Sequence, residues 1–335
     1  MSESGPGGDL GEPGGDLGEP GGDLGELRRE LTRIGSLVVA FSGGADSALL
    51  AWVANDTLGP DRVLCATAVS PSLAPEERHD CRSLAAEWGL RHLEVETGEL
   101  ADPAYAANDG SRCYHCKTSL MEALSPLVAR DPGASIVLGV NLDDLGDHRP
   151  GQQAATERGA LFPLVRAGFT KADVRAWSRR LGLRTWDKPA AACLASRVPY
   201  GIPVTLGTLS SVADAESGLR ALGFRQLRVR HYGDTARIEV PPEDLATVVA
   251  RRDEVSAAVH RAGYRYVTLD LDGFRSGNLN DALVDRGVSA GRAGRVDRGG
   301  LDRGGLDRGG LDRGRHMDRG GPMDLGVTVA AGDLR

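Results

Sequence analysis

Long hydrophobic runs are missing from this sequence. No apolar stretch approaches the roughly 20 residues that a membrane-spanning helix needs. No basic, apolar, signal-like segment stands at the N-terminus either. Both absences point to a cytoplasmic protein without a membrane partner. Positive charge is in deficit: 40 Lys and Arg face 47 Asp and Glu, for a formal net charge of -7. Broad nucleic-acid affinity needs clustered Lys and Arg to displace counterions from phosphates, so no nucleic-acid partner is expected. The five cysteines are odd in number and include one C-x-x-C, which suits a reducing compartment better than a disulfide framework. Aromatic residues are few, at 4%, but hydrophobic content is ordinary. With 335 residues the chain can bury a real core and hold two domains plus tails.

The most informative stretch that is present is 37–50, LVVAFSGGADSALL. A short apolar run over 37–41 stops at Ser42-Gly43-Gly44, and good helix formers begin at Asp46. A buried strand feeding a glycine turn and then a helix is how α/β proteins build an anion site. The two glycines let the backbone approach a ligand with no Cβ in the way. Unpaired amides at the start of the helix then point into the turn. Ser42 and Ser47 add hydroxyls, and Asp46 can cap the helix or hold a cation that bridges phosphates. No lysine follows the glycines, which separates this turn from the Gx4GK[ST] loop and from γ-phosphate transfer. A glycine turn that serves only the fold is the plain alternative. SGGADS directly after a strand is more specific, and it resembles the pyrophosphatase loop of the ATP-pyrophosphatase (PP-loop) superfamily. That resemblance implies cleavage of ATP between the α and β phosphates to adenylate an acceptor oxygen.

Repeats occupy both ends. Residues 5–25 repeat a GEPGGDL-like unit whose glycine, proline and acid cannot bury enough apolar area to offset ordering entropy. Residues 1–26 are therefore expected to be a disordered tail. DRGGL repeats from Val296 onward with a period that fits no helix or strand, so 287–335 reads as a second disordered tail. Between them, strand candidates at 36–41, 62–69, 91–96 and 135–140 alternate with helical stretches at 46–57, 75–88, 114–130 and 170–181. This is an α/β pattern: a parallel sheet covered on both faces, forming a PP-loop ATP-binding domain over 27–188. Ligands of such sheets bind beyond the carboxyl ends of the strands, where SGGADS sits. After Lys188 the pattern becomes αββαβ. It has a helix over 205–222, strands at 225–231 and 234–240 around Gly233-Asp234, a helix after Pro241-Pro242, and a strand at 264–271. A smaller α+β domain over 189–286 is expected.

Several other residues are candidates for chemistry. Asn141 and Asp144, in VNLDD at the end of the 135–140 strand, would emerge at the same sheet edge, where carboxylates can bind Mg²⁺ on ATP phosphates. An ordinary Asn/Asp turn is the alternative. Asp147 and Arg149 add charge to the loop that follows. Cys113 and Cys116, in CYHC at the start of a helix, allow zinc, a redox pair or two buried thiols. There is no second C-x-x-C for a four-ligand zinc, and His115, two residues after Cys113, is expected to point elsewhere. With the distant Cys193 the thiols number three, one short of the usual four of a [4Fe-4S] cluster. If all three bind one cluster, one iron stays open for a ligand such as sulfide. Cys65 and Cys81 read as core residues. Arg228 and Arg230 alternate along a strand and share a face, as do Arg237 and Glu239 on its hairpin partner. Guanidinium groups on one face can grip phosphate or carboxylate. A solvated outer face explains the alternation equally well. Arg275 and Ser276, after the last strand, carry the same two readings.

Taken together, SGGADS, RCYHCK, GVNLDDLGDHRPG, FPLVRAGFTKADVR, DKPAAACLASRVPYG, LRVRHYGDTARIE and YRYVTLDLDGFRSG resemble the LarE family of ATP-dependent sulfur transferases over about residues 27–282. The resemblance implies ATP at residues 42–47, on Ser42, Gly43, Gly44, Asp46 and Ser47, with Asn141 and Asp144 beside it and Mg²⁺ on Asp46. It implies adenylation of the carboxylates of pyridinium-3,5-biscarboxylic acid mononucleotide, release of pyrophosphate, and displacement of AMP by sulfur. The thiocarboxylates would serve the nickel-pincer cofactor of lactate racemase. Adenylation creates a good leaving group, and a thiolate or sulfide is a strong nucleophile. Cys193, the cysteine of CLASR, either gives up its own sulfur to become dehydroalanine or shares a [4Fe-4S] cluster with Cys113 and Cys116. All three are present, so the cluster form is expected. Ser196, Arg197, Arg228, Arg230 and Arg275 are the candidates for gripping the substrate's phosphate and carboxylates. Family members form ring-like hexamers, which implies a homo-oligomer. Three competing readings remain. A tRNA thiolase with a C-x-x-C-bound cluster is opposed by the acidic charge. A synthetase of the NAD-synthetase kind leaves three cysteines without a job. A nucleotide-sensing module would bind ATP or AMP without turnover.

Overall fold

The computed structural model describes residues 21–131, 133–146, 150–189 and 192–275. The repeats at 1–20 and 276–335, together with Asp147, Arg149 and Ser276, lie outside this range. The last GGDL unit does not, and it differs from the tail expected there. Asp23 caps α1 (Leu24–Ile34), its carboxylate accepting the Gly25 N–H at 2.7 Å. The Gly21 N–H donates to Asp173 Oδ1 at 2.6 Å, and Trp177 Nε1 donates to the Gly22 carbonyl at 2.8 Å. Leu27 and Leu31 are fully buried. The repeat supplies a cap and a leucine, and the amphipathic stretch behind it supplies the packing that orders them.

The first half of the chain runs β1 (Ser36–Ala40), α2 (Ala45–Leu58), β2 (Val63–Val69), α3 (Pro75–Glu87), β3 (His92–Glu96), α4 (Pro103–Ala106), α5 (Arg112–Ala129), β4 (Ala134–Leu138), α6 (Pro150–Glu157), α7 (Pro163–Arg166) and α8 (Lys171–Arg180). The sheet order is β3-β2-β1-β4, every pair parallel, with Val39 opposite both Cys65 and Val137. Alternate strand residues face opposite ways. Leu37, Val39, Cys65 and Val137 pack with α1, α2, α3 and α8, whereas Val38, Ala66, Ile136 and Leu138 pack with Met121 and Leu124 of α5. Both faces are covered, which is why the strands are apolar throughout. The strand order reverses between β1 and β4, and the crevice beyond their carboxyl ends is where such sheets bind ligands.

That crevice has a steric requirement. A Cβ on Gly139, the residue after β4, would lie 2.6 Å from Ser47 N and 2.8 Å from Ser47 Cα. The first turn of α2 therefore passes directly over a position that only glycine leaves open. Alanine at 139 is expected to cost about 1–3 kcal/mol through overpacking and to weaken ATP binding by displacing the turn. Thermal melting and nucleotide titration check this, and wild-type values in both would contradict it.

The second half contains α9 (Leu206–Ala221), β5 (Arg228–Tyr232), β6 (Thr235–Glu239), α10 (Leu245–Ala250), α11 (Arg252–Arg261) and β7 (Tyr266–Leu269). β5 and β6 form a hairpin in which Tyr232 faces Thr235 across Gly233-Asp234, and β7 joins β6 in parallel. Val229, Ile238 and Leu219 meet Val255 and Val259 in a second core. The described residues belong to one compact unit. A seam joins the two sheets, where Leu194, Ala195, Val198 and Val204 pack against Ala74, Tyr105, Leu209 and Val212. Among the described residues no helix is long and apolar enough to cross a membrane.

Candidate active site

At the end of β1 the chain turns through Gly43, whose φ of 67° is in the left-handed region and whose Cβ would stand 3.0 Å from Cys81 Sγ. Both facts require glycine there. Ser47 Oγ accepts the Ser42 N–H at 3.2 Å, lies 3.0 Å from Ser42 Oγ and donates to the Gly44 carbonyl at 3.1 Å. These bonds fold the turn back onto the helix. Gly44 is the N-cap of α2 and has no side chain to satisfy the first amides, so they are left for a ligand.

Asp46 faces this turn with both oxygens taken. Asn141 Nδ2 donates to Oδ1 at 3.0 Å, and Lys171 Nζ to Oδ2 at 2.5 Å. Asn141 is itself buried and fixed, its backbone N–H on Asp144 Oδ2 at 3.1 Å and its Oδ1 accepting the Asp143 N–H at 3.0 Å. Asn141 and Asp144 thus stand at the same edge as the glycine turn. A second lysine, Lys188, spans from the Gly43 carbonyl at 3.2 Å to Glu77 at 2.8 Å and Asp80 at 2.5 Å. Burial opposes the Lys188 charge, but the two carboxylates outweigh it and raise its pKa. Burial also works against the Asp80 carboxylate, yet Lys188 and Arg184 hold its pKa below the ordinary value. Neither lysine was singled out in the sequence, because each acts through partners far away in the chain.

The thiols come together through a strap that crosses the seam. Asn108 is fully buried and, among the described residues, is the one non-glycine with positive φ, at 55°. Its Nδ2 donates to the carbonyls of Pro199 at 2.9 Å and Ile202 at 2.8 Å, and its own carbonyl accepts the Gly201 N–H at 3.0 Å. Arg112, the residue before Cys113, donates through Nη1 to Asn108 Oδ1 at 2.6 Å and to the Ala195 carbonyl at 2.8 Å. The Leu194 N–H donates to the Ser72 carbonyl at 2.9 Å. Cys193 is thereby held beside the start of α5, within electrostatic range of Cys116. Burial and then the neighbouring charge of Cys193 push the Cys116 thiol up to about 12. Cys113 and Cys193 are exposed and Cys116 is half-buried. His115 turns away, its Nδ1 lying 3.1 Å from Asp102 Oδ2. Nearby, Glu99 accepts from Ser70 Oγ at 2.5 Å, while its buried Oε2 has no partner among the described residues. Cys65 and Cys81 are core residues, and burial pushes their thiols up to about 12 and about 11.

The arginines separate into two kinds. Arg197 is buried with its fork on the equally buried Glu216, at 2.8 and 3.1 Å, and its Nη1 on the Ala192 carbonyl and Ser196 Oγ. Arg230 pairs both ways with buried Glu239 at 2.9 Å and donates to the Ser196 carbonyl at 2.8 Å. These two, named from the sequence as substrate grips, here also fasten the Cys193 segment to α9 and β5. Arg228 is different. Only 8% exposed, it stacks on Phe274 at 4.5 Å and, among the described residues, its guanidinium has no hydrogen bond or ion pair. Burial and the neighbouring Arg197 and Arg230 charges lower its pKa. The solvated-face reading of the Arg228–Arg230 alternation is therefore overturned. Ser196 sits between the two arginines' bonds, and exposed Arg275 pairs with Asp272 at 3.1 Å.

A phosphate-binding glycine turn at the switch of an open parallel sheet, with hydroxyls and helix amides converging on it, defines an ATP-using enzyme of the PP-loop class. The pyridinium-3,5-bisthiocarboxylic acid mononucleotide synthase of Lactiplantibacillus plantarum is 39% identical over 256 residues, which covers 76% of this chain and 92% of that protein. The chain belongs to that family, the LarE sulfur transferases. An uncharacterized protein of Synechocystis is 46% identical over 260 residues, 77% of this chain and 97% of its own length. An NH(3)-dependent NAD(+) synthetase of Chlorobium phaeobacteroides is 32% identical over 87 residues, 25% of this chain and 31% of the synthetase. No protein-family model matches the chain.

Proposed function

We propose that this protein adenylates the carboxylates of pyridinium-3,5-biscarboxylic acid mononucleotide and replaces each AMP with sulfur, in service of the nickel-pincer cofactor of lactate racemase. The observation that carries this reading is the Asn108–Arg112 strap, which holds Cys193 beside the CYHC helix in a chain whose relative is named for the bisthiocarboxylate product. In the reaction the 42–47 turn holds the ATP phosphates. A substrate carboxylate oxygen attacks the α-phosphorus and pyrophosphate leaves. Sulfur then attacks the acyl carbon, the C–S bond forms, and the C–O bond to AMP breaks with its electron pair going to AMP. Arg228 meets the substrate's phosphate or second carboxylate. Ser196 flanks it.

Asp46 would hold the Mg²⁺ of MgATP, which would offset phosphate charge, and Lys171, now on Asp46, would stand beside a phosphate oxygen. Among the described residues no three His, Cys, Asp or Glu side chains stand close enough to share one metal ion, whereas the thiolates of a cluster each bind a different iron. The donor set fits in kind: three thiols lie near a buried guanidinium that, among the described residues, has no carboxylate partner. Cys113, Cys116 and Cys193 would hold a [4Fe-4S] cluster, which supplies transferable sulfide at its open iron. A cytoplasmic homo-oligomer, hexameric as the family resemblance implies, completes the reading. The test is pyrophosphate release with and without the pyridinium acceptor. Release that depends on the acceptor is expected, and equal release in its absence would refute the proposal. Iron and acid-labile sulfide in anaerobically purified protein test the cluster. If neither is present after anaerobic reconstitution, Cys193 is the sulfur source itself.

A further inference from the structure

One buried charge in the thiol region is left over from the reading above. Arg112 is 6% exposed and, among the described residues, has no carboxylate partner. Both of its hydrogen bonds leave from Nη1, so among the described residues the N–H groups on Nε and Nη2 are unpaired. Tyr200 covers it at 5.5 Å from the ring centroid. It directly precedes Cys113, and its bond to the Ala195 carbonyl places it two residues from Cys193. The titratable groups around it are the Cys193 and Cys113 thiols and the Tyr200 and Tyr105 phenols. A guanidinium taken out of water is costly unless an anion meets it. Among the described residues no carboxylate does.

We propose that Arg112 is the anion-holding group of the sulfur site, drawing in and orienting sulfur that arrives as an anion beside Cys113 and Cys193. This rests on the sulfur-transfer reading, because that reaction is what brings an anionic sulfur to these thiols. The unpaired edge of the guanidinium supplies directional N–H donors, and its charge raises the local concentration of any small anion. Its Nη1 bonds keep the group fixed against the strap while the other edge serves the ligand.

The test compares a charged and a neutral alkylating reagent at one pH on the metal-free full-length chain. Iodoacetate and iodoacetamide react at the same sulfur but differ in charge. The ratio of their rates at Cys193 and Cys113, resolved by peptide mass spectrometry, reports local potential rather than accessibility. In Arg112→Gln this ratio is expected to fall about fivefold or more, since a unit charge within a few ångströms acts on that scale. Arg112→Lys should keep most of it. Asn108→Ala loosens the strap but retains the charge, so both rates should change together and leave the ratio unaltered. A ratio in Arg112→Gln equal to wild type, or an equal fall in Asn108→Ala, would overturn the proposal. Should Arg112→Gln not fold, the wild-type ratio decides: it must exceed that of a free cysteine peptide, and equality refutes the claim. The measurement needs neither ATP nor the pyridinium substrate. A shifted ratio without any thiocarboxylate product would therefore sink the proposed function and leave the Arg112 site standing.

Discussion

Serine in place of Cys193 is expected to abolish thiocarboxylate formation, by about a thousandfold or more, while acceptor-dependent pyrophosphate release stays within a few-fold of wild type. The two half-reactions draw on separate parts of the structure. In the proposed reaction adenylation would draw on the 42–47 turn, which is held by the Ser42–Ser47 bonds and by Lys188. Sulfur delivery would draw on Cys193, which is exposed and held through its neighbours: Leu194 on Ser72, and Arg197 Nη1 on the Cys193 carbonyl at 3.3 Å. Serine keeps those backbone contacts and nearly the same volume, but its hydroxyl is a far weaker nucleophile and a poor ligand for iron. Separate assays of pyrophosphate and thiocarboxylate distinguish the steps. Equal loss of both would mean that Cys193 supports the nucleotide site rather than the sulfur.

Arg228→Gln is expected to raise the Michaelis constant for the pyridinium mononucleotide about a hundredfold, the scale of a charge-assisted hydrogen bond of about 2–3 kcal/mol. Its thermal stability should remain near wild type, because among the described residues the guanidinium has no hydrogen-bond or ion-pair partner to strand. Arg230→Gln makes the contrast. It would leave Glu239 fully buried without its bidentate partner, and such losses cost about 3–5 kcal/mol of stability. If Arg228→Gln instead melted early with unchanged substrate kinetics, Arg228 would be a structural residue like its neighbour.

Much of the site was legible because its chemistry is local. A strand, two glycines, two serines and an aspartate announce an anion turn within ten residues, and period-2 and apolar patterns placed all four parallel strands within a residue or two. Alternation put Arg228 and Arg230 on one face, but it cannot say which of them is already neutralised. That depends on Glu239 across the hairpin, and for Arg197 on Glu216 a helix away. Asp46 was read as a cap or a cation ligand, and the ammonium that occupies it comes from Lys171, far along the chain. Asn108 left a trace in the turn-forming Asn-Asp-Gly that follows α4. Arg112 left none, because a guanidinium becomes informative only when its surroundings fail to balance it. The N-terminal repeat misled at its last unit, where composition argued for disorder but Asp23 had a helix to cap.

An AMP-primed carboxylate is expected to meet sulfur held at Cys193. Mass spectrometry of the small molecule and of the Cys193 peptide, after one turnover with ATP, Mg²⁺ and the pyridinium mononucleotide, decides this. The expected product has sulfur in place of a carboxylate oxygen, with Cys193 intact if a cluster carries the sulfur or lighter by one H₂S if it does not. An adenylated carboxylate that accumulates beside unchanged Cys193, without any thiocarboxylate even when sulfide is supplied, would contradict it.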